Sequence, residues 1–342
     1  MQAGHRTLLY SSFFRPGFWG VTLFFSISGF LIIGQLLDIA SGSRNESLRV
    51  FVLRRCLRTL PTYWLVTVLV LLAGLVAWPG GSVLAFNLLL VQSVAGVGSV
   101  LPVAWSLVIE VWSYLMFASL AWVSRFLVAH DWWLQRSLPR IFPREVFVIC
   151  SLIVLPLLAS CIRFDWSVHG ASVQQLKQGL APQLDALVYG GMLAWLQRWC
   201  PPFFERLARS LWLMPLCLVL MSLVTATVPF LFANVDQPVP LESTVWLAFG
   251  FYPCVGLLAS LLLLSLWRFR YESLPLRLDQ FCRWLSRCSY SVYLLHLSVV
   301  ALIAPLGAGF LAFLAYLFCS IVCGSIGWRF LERPFTRLRY VL

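Results

Sequence analysis

Three ionisable residues interrupt long apolar stretches of this sequence. Glu110 lies within AWSLVIEVWSY (104–114), Asp185 within PQLDALVYGG (182–191), and His296 closes CSYSVYLLH (288–296). A charged side chain at the middle of a bilayer costs at least about 2.5 kcal/mol on insertion scales, so such residues are candidates for function. A carboxylate or an imidazole in this setting can carry a proton or orient a neighbouring group.

Helical spacing places further polar residues beside two of these candidates. Ser106, Ser113 and Tyr114 share a helical face with Glu110. Tyr293 and Ser289 share a face with His296 in the same way. For both clusters the alternative is a hydrogen-bonded contact between helices, and for Asp185 the alternative is a helix cap.

Arginines are concentrated in FVLRRCLRTLPTYW (51–64), which holds Arg54, Arg55 and Arg58. Guanidinium groups bind phosphates in a bidentate manner, so an anionic nucleotide cofactor is one possible ligand. The other reading is anchoring to anionic lipid at the membrane surface, worth about 1 kcal/mol per residue. Composition alone favours the lipid anchor.

The elements that carry these residues are predicted to be membrane-spanning helices. The 342 residues are 61% hydrophobic and 11% charged, with a mean hydropathy of +0.87, which excludes a soluble domain of ordinary composition. We predict an all-α, polytopic transmembrane helix bundle in a single domain over 1–342, with one short interfacial or re-entrant helix in 83–96. About nine spans are expected, at 17–38, 62–79, 103–125, 145–161, 183–198, 210–232, 243–267, 289–306 and 309–330.

The basic residues alternate between loops, which indicates an orientation. The net charge is +12, yet 21 of the 25 basic residues fall on one side of the predicted membrane, and only Arg6, Arg15, Arg163 and Lys177 on the other. By the positive-inside rule, the side that holds most of the basic residues is cytoplasmic, and the C-terminus lies on that side. This distribution explains the charge without nucleic acid, for which no motif is present. The N-terminus is then outside, so we expect that an upstream span is missing.

The ten cysteines do not have the spacing of metal ligands or of a disulfide framework. We interpret them as small apolar side chains and expect no metal site.

Six motifs in order resemble the integral-membrane acyltransferase family 3. They are GFWGVTLFFSISGFLI (17–32), FVLRRCLRTLPTYW (51–64), WSLVIEVWSYLMF (105–117), LDALVYGGMLA (184–194), CSYSVYLLH (288–296) and LERPF (331–335). The family is typified by ten or eleven spans and by an acyl-CoA that reaches the site from the cytoplasm. Its members O-acetylate bacterial surface polysaccharides, lipopolysaccharide and related glycosides.

The resemblance implies roles for individual residues. Arg54 and Arg55, with Arg58 beside them, would hold the CoA phosphates, and Glu110 is the family's glutamate, supported by Trp105, Ser106 and Tyr114. By the resemblance, His5 is either the family's catalytic histidine or an unrelated loop histidine; as the base it would deprotonate the acceptor, with Glu110 or another polar group orienting its imidazole. Asp185, Tyr293 and His296 are further support or substrate residues. Thr22 and Gln183 depart from the family's aspartate and arginine.

The resemblance therefore implies an acyl-CoA-dependent O-acyltransferase of the bacterial cytoplasmic membrane. Its partners would be membrane lipid and a glycan or glycolipid acceptor, with acetyl-CoA as co-substrate and no permanently bound cofactor. The sequence leaves the oligomeric state open. The alternative is a proton-coupled transporter or flippase in which Glu110 and His296 relay protons, and a third reading is a non-catalytic membrane partner.

Overall fold

Helices form the regular secondary structure of the chain wherever it is described. The computed structural model describes residues 2–40, 47–130, 142–179, 183–228, 236–270, 275–307 and 309–338. Side chains are described for 19–39, 47–123, 152–179, 183–228, 236–269, 275–305, 307 and 309–337. Within these ranges the one β feature is an isolated antiparallel bridge between Ser172 and Pro238.

The helices are numbered here in chain order. They are α1 (Gln2–Ala40), α2 (Leu48–Leu72), α3 (Gly81–Leu88), α4 (Ala104–His130), α5 (Phe142–Val168), α6 (Val173–Gln178), α7 (Leu184–Trp199), α8 (Pro201–Ala208), α9 (Leu213–Ala226), α10 (Tyr252–Leu266), α11 (Leu276–Ile303), α12 (Phe310–Gly327) and α13 (Arg333–Leu338). π-Helical turns, Trp246–Phe251 and Trp328–Glu332, precede α10 and α13.

Six helical segments of the described chain are long and apolar enough to cross a membrane. They are Trp19–Ile39, Leu48–Leu72, Ala104–Val123, Leu241–Phe269, Leu276–Ile303 and Phe310–Arg337. The pair α8 and α9 qualifies as a seventh when taken together, although it is bent by 75°. The prediction of an all-α, polytopic membrane protein is thus confirmed. At the other two of the nine predicted spans lie α5 and α7, the latter with only 16 residues.

Three predicted boundaries were wrong for identifiable reasons. The second span was predicted at 62–79, but α2 begins at Leu48 and ends at Leu72, before Gly74 with its positive φ of 66°. The three arginines Arg54, Arg55 and Arg58, called the arginine trio below, therefore lie inside this helix. The span predicted at 289–306 begins at Leu276, since its first turns are amphipathic and hydropathy overlooks them. In 83–96 the helix is confined to α3, which ends at Leu88.

The chain divides into two compact units, described separately below. The first, here called the SGF unit after the motif in α1, comprises residues 1–48 and 112–273. The second, the arginine unit, comprises residues 49–111 and 274–342.

In the SGF unit, helices α1 and α7 touch backbone to backbone. A Cβ added at Gly29 would fall on the carbonyl oxygen of Leu187, and one added at Gly190 would fall on that of Ser26. Farther along the same two helices, Arg198 donates to both carboxylate oxygens of Asp38 at 2.8 Å. Two motifs of the sequence, SGF in α1 and GG in α7, therefore serve the same helix contact.

Gly190→Ala is expected to destabilise the SGF unit. The new methyl group cannot be accommodated by a side-chain rotation, because its neighbour is the backbone of Ser26, so α1 and α7 must separate. Overpacking of this kind costs about 1–3 kcal/mol. Denaturant titration of the purified protein in detergent measures the loss. Gly20→Ala in α1 is the matched control, since nothing lies within 4 Å of its added Cβ; equal effects of the two variants would contradict the close contact.

In the arginine unit, side-chain hydrogen bonds fix the segment between α3 and α4. The side chain of Asn87 donates to the carbonyl oxygen of Gly98 at 3.0 Å and accepts from the backbone N–H of Val100 at 2.8 Å. The hydroxyl of Tyr63 in α2 donates to the carbonyl oxygen of Asn87 at 3.0 Å. This segment leads directly into the start of α4, which carries Ser106 and Glu110.

Candidate functional site

The arginine trio of the arginine unit occupies successive turns of α2. Arg54, Arg55 and Arg58 are all partly exposed. The guanidinium carbon of Arg55 lies 5.6 Å from the ring centroid of Phe51, a cation–π distance. Three partly exposed cations on one helix can contact an anion without first breaking a buried structure.

Glu110 is buried in α4, with 7% of its surface exposed. The polar residues predicted to share its face are buried as well: Ser106, Ser113 and Tyr114 are each at most 1% exposed. This stripe of α4 therefore faces protein, as the spacing predicted. Trp105, one residue before Ser106, is partly exposed.

Ser106 and Tyr293 meet at the start of α4. Their hydroxyl groups share a hydrogen bond of 2.5 Å, and each lies 3.2 Å from the carbonyl oxygen of Val103. Each hydroxyl has one hydrogen, so one hydroxyl donates to the other, which donates to this carbonyl oxygen, and polar groups thereby fix the contact between α4 and α11.

His296 lies one turn along α11 from Tyr293. Its Nδ1 is 2.7 Å from the carbonyl oxygen of Tyr293, and the two rings are 5.7 Å apart. Because a carbonyl oxygen can only accept, Nδ1 carries the proton in the neutral imidazole and Nε2 is the basic atom. Ser289, predicted on the same face, is exposed.

A second polar contact of this unit is made by Tyr290 in α11. Its hydroxyl donates to the carbonyl oxygen of Thr59 in α2 at 2.8 Å. Thr59 follows Arg58, and Tyr293 of the same helix contacts Ser106, one turn before Glu110. Helix α11 therefore contacts both the helix that carries the three arginines and the helix that carries Glu110.

Sequence reasoning missed the role of Glu332, although the LERPF motif contains it. Glu332 is 5% exposed and lies in the π-helical turn before α13, where its Oε2 accepts from the hydroxyl of Ser291 at 2.8 Å. The signal available in the sequence was an acidic residue that closely follows a predicted apolar span.

The SGF unit contains a buried ion pair that the sequence analysis did not find. Arg163 was assigned to an outer loop, but it lies in α5 and is fully buried, with its Nη2 2.7 Å from Oδ2 of Asp185. Asp185 is 3% exposed and belongs to the first turn of α7. The neighbouring Asp165 and His169, which are exposed, made this stretch look like a loop.

The remaining partners of Arg163 come from α5 and from the π-helical turn Trp246–Phe251. Nη2 donates to Ser160 at 2.8 Å, and both Nε and Nη2 donate to the carbonyl oxygen of Ala248, at 3.2 and 2.9 Å. The guanidinium carbon also lies 5.1 Å from the ring centroid of Tyr252. A π-helical turn leaves carbonyl groups available that an α-helix would use internally, which explains this acceptor.

The backbone of His5 belongs to α1, and the side chain of His5 is outside the part of the chain whose side chains are described. The structure brings Ser106 and Tyr293 into contact and pairs Asp185 with Arg163 rather than leaving it as a helix cap. Among the described residues no three histidine, cysteine or acidic side chains cluster as metal ligands would.

These features define the class of protein. Apolar helices that could cross a membrane several times, with carboxylates buried between them, make up a multi-pass membrane protein with polar sites in its interior. The sequence profile of acyltransferase family 3, described as "Acyltransferase domain", matches residues 2–329. The chain belongs to this family and is a membrane acyltransferase. Comparison with curated proteins finds no match, and comparison with solved structures finds none.

Proposed function

We propose that this protein transfers an acyl group from acyl-CoA to a hydroxyl group of a glycan or glycolipid. The resemblance to O-acetyltransferases of the family makes acetyl the expected group. The family supports acyl transfer in general. The uneven distribution of arginine supports a place in the bacterial cytoplasmic membrane with the C-terminus inside, where acyl-CoA is available. Acceptors of this kind include surface polysaccharide and lipopolysaccharide.

The observation that carries the proposal is that α11 contacts both candidate helices: Tyr290 donates to Thr59 beside Arg58, and Tyr293 contacts Ser106 one turn before Glu110. A buried carboxylate in a membrane helix is costly, whereas partly exposed arginines on α2 suit a polyphosphate. Donor phosphates held by Arg54, Arg55 and Arg58 would bring the rest of the donor toward the polar residues of α4. The same unit therefore supplies both an anion site and a charged residue for the reaction.

Two roles in the proposed reaction are assigned to particular residues. His5 is proposed as the base that takes the proton of the acceptor hydroxyl, whose oxygen then attacks the thioester carbonyl. The tetrahedral oxyanion collapses, the carbon–sulfur bond breaks, and the CoA thiolate leaves and takes up the proton that His5 had removed. Glu110 is proposed to orient polar groups and balance charge in this step.

The remaining candidates are proposed to support the substrates. Ser106 and Tyr293, joined by their short hydrogen bond, keep a polar wall beside Glu110. Trp105, Tyr114 and His296 are proposed as substrate or support residues on the same two helices, α4 and α11. Asp185 of the SGF unit is proposed as a further substrate or support residue.

Replacing the first two arginines is expected to weaken donor binding. In the Arg54→Ala, Arg55→Ala double variant, the KM for acetyl-CoA should rise about 10-fold to 100-fold, because two charge-assisted contacts to phosphate are lost. With acetyl-pantetheine, which lacks the nucleotide phosphates, the parent and the double variant should have similar KM values. Initial rates of acyl transfer by the purified protein in lipid nanodiscs measure both.

Arg49→Ala is the matched control, because Arg49 is exposed on the same helix α2 but outside the trio. If the arginines only anchor lipid, all three substitutions should act alike and donor truncation should make no difference. Proton-coupled uptake into vesicles without any requirement for acyl-CoA would instead favour the transporter.

A further inference from the structure

The arginine trio carries too little charge to balance the whole of the proposed donor. Coenzyme A has two phosphates in its pyrophosphate and a further phosphate monoester on the 3′-oxygen of its ribose. The monoester alone carries nearly two negative charges at neutral pH, so the phosphates together carry about four. Arg54, Arg55 and Arg58 supply three positive charges. A further cation on a neighbouring helix would complete the balance.

Helix α11 runs beside α2 in the same direction. The hydroxyl of Tyr290 donates to the carbonyl oxygen of Thr59 at 2.8 Å. One turn farther along each helix, Tyr63 of α2 and Tyr293 of α11 both contact the hydrogen-bonded segment 87–103. The contacts follow the same order along both helices, so the arginine-rich starts of α2 and α11 lie at the same end of the arginine unit.

Arg287 lies on the face of α11 that turns toward α2. Arg283, Arg287 and Tyr290 have the i, i+4, i+7 spacing of one helical face. Tyr290 reaches Thr59 from this face, about one turn beyond Arg287. Arg55 precedes Thr59 by about one turn of α2, so Arg287 and Arg55 leave adjacent helices at similar levels.

The side chain of Arg287 can bind an anion without breaking an ion pair. Arg287 is exposed, and no acidic side chain in the described part of the chain pairs with it. Arg283, the other arginine of this face, has its Nε 2.7 Å from Oδ2 of Asp279 and is already neutralised. The positive-inside rule accounts for an arginine at this end of α11 but not for its place on the face toward α2.

We propose that Arg287 binds the 3′-phosphate of the donor while the arginine trio binds the pyrophosphate. One nucleotide can reach both positions, because six covalent bonds separate the 3′-phosphorus from the nearer pyrophosphate phosphorus, about 8 Å at full extension. A guanidinium group binds a phosphate through two parallel hydrogen bonds. Arg287 therefore selects coenzyme A over a carrier that lacks the 3′-phosphate. This inference rests on the proposed function, since it concerns the donor of that reaction.

Binding of two ligands that differ in one phosphate tests the assignment. The full chain in nanodiscs of phosphatidylcholine, which has no net charge, is titrated calorimetrically with CoA and with 3′-dephospho-CoA. The parent should bind CoA about tenfold more tightly, the effect of one charge-assisted contact at an exposed site. Arg287→Ala should bind both ligands with the affinity that the parent has for 3′-dephospho-CoA. Arg287→Lys should retain part of the preference, because it keeps the charge without the bidentate geometry.

Arg277→Ala is the matched control. Arg277 is exposed on the same helix but does not have the spacing of the face that carries Arg287. This variant should keep the parent's preference for CoA. The Arg54→Ala, Arg55→Ala double variant should bind both ligands more weakly and keep the preference, because the pyrophosphate is common to the two ligands.

Other outcomes overturn the inference in distinguishable ways. Equal affinities of the parent for the two ligands, or an equal loss for both in Arg287→Ala, would make Arg287 a lipid anchor or a structural residue. Loss of the preference in the Arg54→Ala, Arg55→Ala variant but not in Arg287→Ala would place the 3′-phosphate at the trio. Turnover of acetyl-CoA by the parent would leave the proposed function standing in these cases. A parent that neither binds CoA nor turns over acetyl-CoA would reject the proposed function, and this inference with it.

Discussion

Glu110→Gln is expected to abolish most acyl transfer while the protein remains folded. The substitution keeps the size of the side chain and its capacity for hydrogen bonds but removes the charge. Groups that act in proton transfer or orient the acid–base residue typically contribute 10²-fold to 10⁴-fold to the rate, so a loss of about that size is expected. The rate of transfer from acetyl-CoA, measured at saturating donor, reports the effect.

Stability provides the second readout for Glu110. Because the carboxylate is buried in an apolar helix, its replacement by a neutral amide should leave the unfolding free energy unchanged or higher. Glu205→Gln is the control and should leave the transfer rate unchanged, since the side chain of Glu205 in the SGF unit is 47% exposed beside Arg209, outside the candidate site. A Glu110→Gln protein that transfers acetyl within threefold of the parent, or that fails to fold, would show that Glu110 is structural.

The sequence predicted what depends on hydropathy and charge. All nine apolar stretches overlap helices or helix pairs of the described chain, because a long apolar run in a membrane leaves the backbone no alternative to internal hydrogen bonds. The stripe of Ser106, Glu110 and Tyr114 was found from spacing alone, since polar side chains in such a helix must turn toward protein.

Contacts between distant segments were beyond the reach of the sequence. Arg163 and Asp185 are 22 residues apart, and nothing local indicates that α5 and α7 bring them together. The arginine was misassigned because hydropathy places any charged residue near an apolar end into a loop. The acceptor at Ala248 depends on a π-helical turn, which has no dependable sequence signature.

Family motifs also combine chemistry with packing, and the structure separates the two. Gly29 and Gly190 lie where helix backbones meet, so the glycines of the SGF and GG motifs are needed there for contact distance alone. Arg54 and Arg55, in contrast, are partly exposed on α2, so the chemistry proposed for this motif does not depend on close contact between helix backbones.

Asp185→Leu is expected to destabilise the protein strongly, and Arg163→Met to restore it. Loss of the carboxylate removes the negative charge that lies 2.7 Å from the fully buried guanidinium of Arg163. Breaking a buried pair in this way costs about 3–5 kcal/mol, whereas replacing both members by apolar side chains is often neutral or stabilising. Unfolding of the purified protein in detergent, followed by tryptophan fluorescence, measures the three variants.

The exposed pair of Arg283 and Asp279 serves as the control, because its Nε to Oδ2 distance is also 2.7 Å. Arg283→Met should change stability little, since water solvates the aspartate that remains. Should the double variant be as unstable as Asp185→Leu, the essential contribution of Arg163 would be its bonds to the π-helical turn rather than its charge.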